Sequence, residues 1–462
     1  MQKTMKITLG DAARLSGGRL HADSDTQLLL DYVCSDSREA IPGRTSLFAA
    51  LKGERTDGGT FVPDIIASGN AALISDPALF DKNTIYVNDV RAALRSLAAG
   101  YRREYLPALR CVCVTGSVGK TTTKEMTALV LSRAFSVSST SGNLNSTIGL
   151  PLSLLRVDEH SQSCVLEIGM SGRGEIAPLS EAAMPDVAII TNIGTSHIEF
   201  LGSREEICRE KTDIASGLKK DGVLILNGDE PLLTAAAKHI DRRCVFVSLD
   251  NTSADYHAED ISSDGARTFF TAVCPSGSVR AELPALGGHN VRNALSAIAA
   301  GEALGISPAD CASALKEFCP VGSRQNIYEK NGVKVIADCY NSSPESTAAA
   351  LSVLRTFPRR RIAVLGDMLE LGDYAKQLHR ETGARVCGCA DVLVTVGTLA
   401  GCIAQGAASA GFDVEKIRAF GENERERAVD YIRSLVGPGD TVLFKASRRM
   451  DFDKILKLSG LS

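Results

Sequence analysis

The stretch Cys111-Val-Cys-Val-Thr-Gly-Ser-Val-Gly-Lys-Thr-Thr-Thr123 leads from an apolar run through a glycine turn into a helical pattern. Gly116 and Gly119 let the backbone curl so that its N–H groups converge on phosphate oxygens at a helix N-terminus. The Lys120 ammonium adds positive charge toward the β- and γ-phosphates, and the Thr121 hydroxyl suits Mg²⁺. The motif lacks the first glycine of the strict P-loop pattern, and a plain strand–helix connection is the alternative. The stretch predicts a site for a nucleoside triphosphate.

The composition is that of a globular protein with several domains. At 462 residues the chain is longer than one ordinary core, which favours about two to four domains. A formal net charge of −4 argues against a nucleic-acid binder that relies on bulk positive charge. Thirteen scattered cysteines without paired CxxC spacing favour reduced, buried thiols over a zinc site or a disulfide framework. Because no stretch has the length of a membrane span and the N-terminus lacks an apolar signal core, we expect a cytoplasmic protein.

Three segments, each with its own alternation of strands and helices, are predicted along the chain. Residues 1–108 and 323–462 form a first and a third α/β unit. Residues 109–322 repeat a strand–helix rhythm typical of a parallel sheet covered on both faces, with antiparallel strands inserted over 242–283. Strands are expected near 45–51, 71–75, 84–87, 110–115, 163–168, 187–192, 222–226, 333–337, 361–365, 391–396 and 441–445. Helices are expected near 61–68, 90–105, 120–134, 204–218 and 289–304.

Polar side chains follow two of the buried strands in the central segment. Glu167 ends the run Ser163-Cys-Val-Leu-Glu167, and His197 follows the strand Val187-Ala-Ile-Ile190. Because the carboxyl ends of parallel strands meet at the crevice where ligands bind in open α/β sheets, both are expected beside the phosphate. The carboxylate suits Mg²⁺ and the imidazole suits a metal or a phosphate. The alternatives are a solvated glutamate at 167 and a structural histidine at 197. Lys211 lies on a charged helix, and the pattern alone does not distinguish it from its basic neighbours.

Two further groups of polar residues lie at the ends of predicted elements. Asn290 and Asn293 lie one turn apart after a Gly-Gly-His turn, where their amides could bracket an adenine or a phosphate. The alternative is an N-cap followed by an exposed asparagine. Asp338 follows an apolar strand of the third segment, with Tyr340 and Asn341 in the next turn. An acid at that position suits a pair of ribose hydroxyls, and helix capping is the alternative.

These motifs together resemble those of the ATP-dependent Mur ligases of peptidoglycan synthesis, which share Thr-Gly-x-x-Gly-Lys-Thr and a Gly-x-His-Asn segment. Within that family the chain is most similar to the members that add D-alanyl-D-alanine to UDP-N-acetylmuramoyl-tripeptide. The stretch Val364-Leu-Gly-Asp-Met-Leu-Glu-Leu-Gly372, with Leu378-His-Arg-Glu381, discriminates best, because other Mur ligases lack it in this form. The same similarity is carried by Gly142–Asn145, Ile148–Leu152, Glu167–Glu175, Thr191–His197, Tyr340–Pro344 and Lys445–Met450.

The resemblance implies a three-domain α/β architecture. An N-terminal domain (1–108) would bind the UDP-linked substrate, and a central P-loop ATPase-like domain with a parallel sheet (109–322) would bind ATP. A C-terminal Rossmann-like domain (323–462) would receive the dipeptide. The resemblance further implies an amide-bond ligation that forms ADP through an acyl phosphate, with Mg²⁺ and with closure about hinges near 108 and 322. A cytoplasmic monomer without a nucleic-acid partner is expected.

The resemblance also implies roles residue by residue. A carbamate on Lys211 would turn that lysine into a carboxylate-like metal ligand. Catalytic roles are expected for Lys120, Glu167, His197 and Lys211. Metal contacts are expected from Thr121, Glu167, His197 and Lys211. ATP contacts are expected from Thr115, Gly116, Ser117, Val118, Gly119, Lys120, Thr121, Thr122, Asn290, Asn293, Arg324 and Asp338. Substrate contacts are expected from Ser37, Arg38, Asn143, Asn145, Tyr340 and Asn341.

Some positions depart from the family's pattern. Ala446 and Arg449 stand where glycines are usual, in and after Lys-Gly-Ser-Arg. Ser343 replaces the second asparagine of Tyr-Asn-Ala-Asn-Pro, Ala337 replaces a residue that is often polar, and Gly59 stands where Asp-Gly-His is expected. These departures bear on dipeptide and uridine binding rather than on the reaction.

Three other interpretations stay open from the sequence. A folylpolyglutamate synthase shares the second and third segments but does not need residues 1–108. A P-loop switch or motor protein predicts Asn-Lys-x-Asp, or a strand ending in aspartate soon after the loop, whereas the strand here ends in Glu167. A non-enzymatic nucleotide-binding scaffold leaves Lys211 and His197 without a role.

Overall fold

The strand Arg110–Thr115 lies between Val187–Ile190 and Ser163–Glu167 in the computed structural model, which describes Met5 and residues 7–39, 41–53 and 56–462. Within those residues the central sheet has nine strands. In spatial order they are Gly277–Leu283, Thr268–Cys274, Tyr256–Ser263, Arg243–Ser248, Val223–Asn227, Val187–Ile190, Arg110–Thr115, Ser163–Glu167 and Val137–Ser139. Neighbouring strands are parallel except in the last three along the chain, which are antiparallel.

The chain reverses its direction across this sheet at Arg110–Thr115. From that strand it runs to the edge strand Val137–Ser139, returns to Ser163–Glu167, and then crosses to Val187–Ile190 on the opposite side. Such a reversal opens a crevice at the carboxyl ends of the strands, where ligands bind in open α/β sheets. The phosphate loop and the loop that leads to His197 both leave the sheet at this crevice.

Both faces of the central sheet are buried, as the unbroken apolar strands predict. Along the phosphate-loop strand, Cys111 and Cys113 belong to one apolar cluster, and Val112 and Val114 to another. All thirteen cysteines lie within the described residues and are free thiols; eight are buried as expected, four are half-buried, and Cys319 is exposed. The helices of this segment are Lys120–Leu131, Gly149–Leu155, Ile176–Ala183, Ile198–Leu201, Arg204–Thr212, Pro231–Ala237, Gly288–Ala303 and Pro308–Leu315.

Two predictions for this segment need correction. The helix expected over 204–218 ends at Thr212 and continues as the 3-10 helix Asp213–Ser216. The stretch 242–283 is antiparallel only from its second strand onward, because its first strand, Arg243–Ser248, pairs in parallel with Val223–Asn227. The alternation of polar and apolar residues does not distinguish the two kinds of pairing, which depend on partners elsewhere in the chain.

The first segment contains a smaller, mostly parallel sheet. Its strands in spatial order are Arg19–Leu20, Thr84–Tyr86, Ala71–Ile74, Ser46–Ala49 and Tyr32–Cys34. The pair Ile7–Thr8 and Leu29–Leu30 lies apart from it. The helices are Leu9–Ser16, Val62–Ala67 and Val90–Glu104. The first of these was not predicted, although Thr8 and Asp11 form a capping box at its start.

The third segment contains a six-stranded sheet within the described residues. Its strands in spatial order are Asn326–Lys330, Val333–Asp338, Thr441–Lys445, Arg361–Gly366, Val392–Val396 and Ile417–Phe420, all parallel except the first. Its helices are Pro344–Leu354, Ala375–Ala384, Ala400–Ser409, Arg425–Leu435 and Phe452–Leu458. The first strand was not predicted, although the Asn331-Gly332 turn, with φ of 52° and 75°, is typical of a two-residue hairpin.

The three large sheets and the separate two-stranded pair fall inside the three predicted segments, so the three-part α/β fold is confirmed, while the boundaries at 108 and 322 stay predictions. The first and central segments share one apolar cluster that includes Leu97 and Leu154. The buried Arg102 donates to the carbonyl oxygens of Leu109 at 2.7 Å and of Ala183 at 3.3 Å. These contacts argue for a stiff junction near 108. Among the described residues, no helix is both long and apolar enough to cross a lipid bilayer.

Candidate active site

A cleft of about 650 Å³ lies between the crevice of the central sheet and the third segment. Most of the predicted site residues line it, and they come from both segments. They are Ser117, Val118, Gly119, Lys120, Thr121, Thr122, Asn143, Asn145, Glu167, His197, Asn290, Asn293, Arg324, Asp338, Tyr340 and Asn341. The residues of the prediction that do not line this cleft are Ser37, Arg38, Thr115, Gly116 and Lys211.

The phosphate loop has the backbone that its glycines predict. Gly116 and Gly119 have φ of 145° and 84°, and Gly119 immediately precedes the helix Lys120–Leu131. The Lys120 ammonium donates to the carbonyl oxygens of Gly116 at 2.9 Å and Ser117 at 3.4 Å. Burial lowers the pKa of Lys120, and the carboxylate of Glu167 opposes that effect. The lysine therefore lies folded over the loop, where it can turn toward a phosphate.

Glu167 is held in place by two side chains. Its Oε2 accepts a hydrogen bond from the Thr121 hydroxyl at 2.7 Å, and its Oε1 accepts one from the Asn145 amide at 2.7 Å. The residue is 3% exposed, which rules out the solvated strand-end glutamate. A hydroxyl oxygen beside a carboxylate is the kind of donor set that Mg²⁺ prefers. Among the described residues, no group of three or more His, Cys, Asp and Glu side chains could hold a metal. Mg²⁺ usually binds through one or two carboxylates together with substrate phosphates, so Thr121 and Glu167 fit it.

His197 faces the third segment. Its backbone has a φ of 65°, and its Nδ1 lies 2.9 Å from Oε2 of Glu370, at an angle outside that of a hydrogen bond. The contact with His197 lowers the pKa of Glu370. Glu370 was not predicted, although it lies in the discriminating stretch 364–372. The signal that could have found it is that the stretch contains only two acids, Asp367 and Glu370, among apolar residues and glycines.

Lys211 is buried behind the cleft, on the helix Arg204–Thr212. It is 2% exposed, and burial holds its pKa well below the usual range, with the positive charge of Lys120 as the second cause. The structure therefore brings these two lysines near each other without placing Lys211 on the cleft wall. The preceding Glu210 is anchored by the backbone N–H groups of Gly174 at 2.7 Å and Glu175 at 2.8 Å.

The two asparagines meet the third segment. Asn290 lies within the helix Gly288–Ala303, whose N-cap is Gly287, so it is not an N-cap. Its amide donates to Oε1 of Gln325 at 2.6 Å and to the carbonyl oxygen of Leu286 at 2.9 Å. Asn293 Nδ2 lies 3.4 Å from Oδ1 of Asn290. Gln325 was not predicted, and it connects this helix to the next group of residues.

Asp338 is part of a polar network and does not cap a helix. Its Oδ1 accepts the backbone N–H of Gln325 at 3.2 Å, and its Oδ2 accepts the ammonium of the buried Lys445 at 2.6 Å. The following helix is capped by Ser343 instead, in a capping box with Ser346. The departure at Ser343 from the family's pattern therefore has a structural use. No site role was predicted for Lys445, although it is the first residue of the stretch Lys445–Met450.

Tyr340 is enclosed by two arginines at the mouth of the cleft. The guanidinium carbon of Arg324 lies 3.5 Å from the centre of the Tyr340 ring, and that of Arg448 lies 5.0 Å from it. Arg448 also donates to the Tyr340 hydroxyl at 3.1 Å. The Asn341 side chain accepts the N–H of Ser342 at 2.9 Å. Arg448, which was not predicted, thus belongs to the same positive patch as Arg324.

Ser37 and Arg38 lie on the 3-10 helix Ser37–Glu39 of the first segment, away from this cleft. Arg38 is exposed and forms a surface ion pair with Asp36 at 2.6 Å. Glu39 connects this helix to the central segment through an ion pair with Arg156 at 2.7 Å. The structure therefore does not bring the predicted uridine contacts together with the phosphate loop.

Comparison with known proteins places the chain in a family. A model of the Mur ligase middle domain matches residues 114–301, and a model described as Mur ligase, glutamate ligase domain, matches residues 323–448. The UDP-N-acetylmuramoyl-tripeptide–D-alanyl-D-alanine ligase of Bacillus subtilis (strain 168) is 39% identical over 462 residues, which is 98% of this chain and 98% of that protein.

Solved structures agree over the whole length. A MurF structure from Acinetobacter baumannii has a TM-score of 0.91 at 31% identity and covers 100% of both chains. MurF from Thermotoga maritima in complex with ADP has a TM-score of 0.83 at 29% identity, over 93% of this chain and 97% of that one. The similarity includes residues 1–108, which a folylpolyglutamate synthase would not need. The chain therefore belongs to the Mur ligase family, among its UDP-N-acetylmuramoyl-tripeptide–D-alanyl-D-alanine ligases.

Proposed function

We propose that this protein joins D-alanyl-D-alanine to UDP-N-acetylmuramoyl-tripeptide with cleavage of ATP to ADP. The observation that carries the proposal is the cleft in which the phosphate loop and Glu167 of the central domain face Asp338 and Arg324 of the third. A ligase needs such an arrangement because ATP, acid and amine must meet in one place from which water is excluded. A switch or motor protein needs no acceptor surface opposite its nucleotide.

The chemistry starts from an unreactive carboxylate. Transfer of the γ-phosphoryl group from ATP to that carboxylate makes an acyl phosphate, and the amine of the dipeptide then displaces phosphate to form the amide. The first step brings two anions together, so positive charge close to both lowers its barrier. Lys120 is placed to supply that charge, because its ammonium lies over the loop carbonyls of Gly116 and Ser117.

Mg²⁺ would be held by Thr121 and Glu167, with His197 on the same crevice. Bound there, the ion would neutralise charge on the phosphates during transfer. The residues contribute their own part: Asn145 and Thr121 orient the Glu167 carboxylate through hydrogen bonds of 2.7 Å each. The carboxylate of the third-domain Glu370, whose Oε2 lies 2.9 Å from His197 Nδ1, would orient the imidazole through its charge, as carboxylates orient metal-binding histidines.

A carbamate on Lys211 is the third part of the proposal. Burial, together with the positive charge of Lys120, lowers the pKa of Lys211 and so favours its neutral amine, which is the form that adds carbon dioxide. Addition would place a carboxylate-like group next to Lys120 and would replace like-charge repulsion by attraction. The modified side chain is longer, so it could reach the metal although the lysine itself does not line the cleft.

The remaining ligand contacts are divided among the three domains. Asn290, Asn293, Asp338 and Arg324 would hold the nucleotide, and Tyr340 and Asn341 would contact the incoming dipeptide. Ser37 and Arg38 would bind the uridine diphosphate, with Asn143 and Asn145 toward the muramoyl part. An ATP-consuming reaction on a nucleotide-linked precursor fits a cytoplasmic enzyme, and the chain is proposed to act there as a monomer.

One assay tests the function. Purified protein is incubated with ATP, Mg²⁺ and UDP-N-acetylmuramoyl-tripeptide, with and without D-alanyl-D-alanine, and both ADP and the UDP-linked product are measured. We expect ADP to appear at the same rate as the UDP-linked product that has gained one D-alanyl-D-alanine. ADP release that does not depend on the dipeptide, or no release, would reject the proposal.

A further inference from the structure

Glu345 lies in the first turn of helix Pro344–Leu354 in the third domain, and its carboxylate contacts a loop of the central domain. Its Oε1 accepts a hydrogen bond from the backbone N–H of Thr195 at 2.8 Å. Its Oε2 is buried and has no hydrogen-bond partner within the part of the chain that the structure describes. Burial of a carboxylate oxygen costs free energy, which the contact between the two domains must offset.

Gly194 allows the carboxylate to come this close. A Cβ atom at position 194 would lie 2.7 Å from Cδ of Glu345 and 2.8 Å from its Oε2, and the three nearest atoms all belong to this carboxylate. Gly194 has a negative φ, which alanine also adopts. The absence of a side chain at 194 is therefore explained by the approach of Glu345 and not by the backbone.

The same loop is fastened to the phosphate loop on its other side. The N–H of Gly194 donates to the Ser117 hydroxyl at 2.8 Å. The N–H of Val118 donates to Oδ1 of Asn192 at 3.0 Å, and the Thr191 hydroxyl donates to the carbonyl oxygen of Val118 at 2.6 Å. The segment 191–195 thus lies between the third-domain carboxylate and the backbone that would hold the ATP phosphates.

We propose that Glu345 is a positioning residue for the ligation, which it serves without touching substrate. When the third domain closes, its carboxylate docks on Gly194 and Thr195 and fixes the 191–195 loop, and through Ser117 it fixes the phosphate loop. Phosphoryl transfer is thereby coupled to closure, so that the acyl phosphate forms only when water is excluded. This role rests on the proposed function, because only a ligase needs that coupling.

The first test compares Glu345→Ala with Glu345→Gln, and with Glu426→Ala as an exposed control on another helix of the same domain. In Glu345→Ala the loss of the acceptor for the Thr195 N–H should lower kcat about tenfold or more. KM for UDP-N-acetylmuramoyl-tripeptide should stay within about twofold, because that substrate does not depend on this contact. The glutamine retains an oxygen that can accept the Thr195 N–H, so its kcat should return to within about threefold of the unmodified protein.

The second test uses Gly194→Ala, which should push the carboxylate away from the loop. Alone it should lower kcat about as much as Glu345→Ala. The double variant should be no slower than either single variant, because both changes remove the same contact. Small-angle X-ray scattering gives a readout besides turnover. With ADP, Mg²⁺ and both substrates the radius of gyration should contract in the unmodified protein and in Glu426→Ala, and less in the other variants.

Three outcomes would overturn the role of Glu345. These are a kcat of Glu345→Ala within about twofold of the control, single effects that multiply in the double variant, or a folded Glu345→Gln protein as slow as the alanine variant. Failure of the proposed function looks different, since the unmodified protein would then form no dipeptide-dependent product at all.

Discussion

His197 Nδ1 lies 2.9 Å from Glu370 Oε2, so a histidine of the central domain faces a carboxylate of the third. Their backbones have φ of 65° and 64°, a left-handed conformation that residues other than glycine seldom adopt. Such strain persists only where the surrounding structure imposes it, and it clusters at functional sites. Here the loop of Glu370 is held by the buried His379, whose Nε2 accepts the N–H of Met368 at 2.9 Å.

Replacement of Glu370 by alanine should raise the Mg²⁺ concentration that the enzyme needs for activity. Without the carboxylate the imidazole of His197 loses the group that orients it, and loss of such a partner typically costs about 10- to 100-fold in metal affinity or activity. We expect the Mg²⁺ concentration for half-maximal ADP release to rise by about that factor. The exposed Glu415→Ala serves as a control on the same domain. An unchanged Mg²⁺ dependence would mean that the contact only joins the two domains.

Glu167→Gln should abolish turnover while the fold survives. The amide can accept a hydrogen bond from Thr121 through only one atom, and it carries no charge for a cation. We expect kcat to fall about 100-fold or more, with a change of only a few degrees in the melting temperature. Calorimetry should find that ATP affinity no longer depends on Mg²⁺. The exposed Glu181→Gln, on helix Ile176–Ala183, is the matched control, and a Glu167→Gln enzyme with normal turnover would exclude a metal role.

Protonation of the buried His289 should lower the stability of the folded protein in mild acid. Burial lowers its pKa from 6.5 to about 4, against the opposing charge of Asp338. Because the folded pKa is the lower one, the stabilising effect is complete above pH 6.5 and is lost as the pH falls toward 4. A shift of that size corresponds to up to about 3 kcal/mol.

The melting temperature of His289→Gln should therefore fall less steeply than that of the unmodified protein as the pH decreases from 6.5 to 4. Melting temperatures measured across that range, with the exposed His239→Gln as control, would check it. If the two variants lose stability in parallel, another group controls the acid transition.

Local patterns predicted the half of the site that belongs to the central domain. The phosphate loop, Glu167 and His197 follow buried strands, and parallel strands must bring their carboxyl ends to one edge. In the third domain Asp338 was likewise predicted from the end of its strand, but Gln325, Glu370 and the interdomain contact of Glu345 were not, because they depend on how one domain packs against another. Hydrophobic periodicity contains no information about such contacts, and neither does residue spacing.

The same limit applies to single side chains. The helical pattern did not distinguish Lys211 as a site residue, because its neighbours Arg209 and Glu210 are just as polar. Burial against the central core leaves Lys211 2% exposed and separates it from the exposed Arg209, whereas Glu210 is also buried, at 5% exposed. Conversely, Asp338 suited a helix cap by position, and only the distant Lys445 shows that its carboxylate is used elsewhere.

Lys211→Ala should lose most turnover and recover part of it with a small carboxylate. If the lysine acts as a carbamate, its loss removes an anionic group and leaves a space in which acetate or propionate can take its place. We expect kcat to fall about 100-fold and to rise again severalfold with acetate near 100 mM, an approximate working concentration chosen to exceed weak binding. The matched control is Lys120→Ala, which lacks a cation and should not respond to acetate. Recovery of Lys211→Ala with methylamine instead would mean that the side chain acts as an amine, and the carbamate would have to be abandoned.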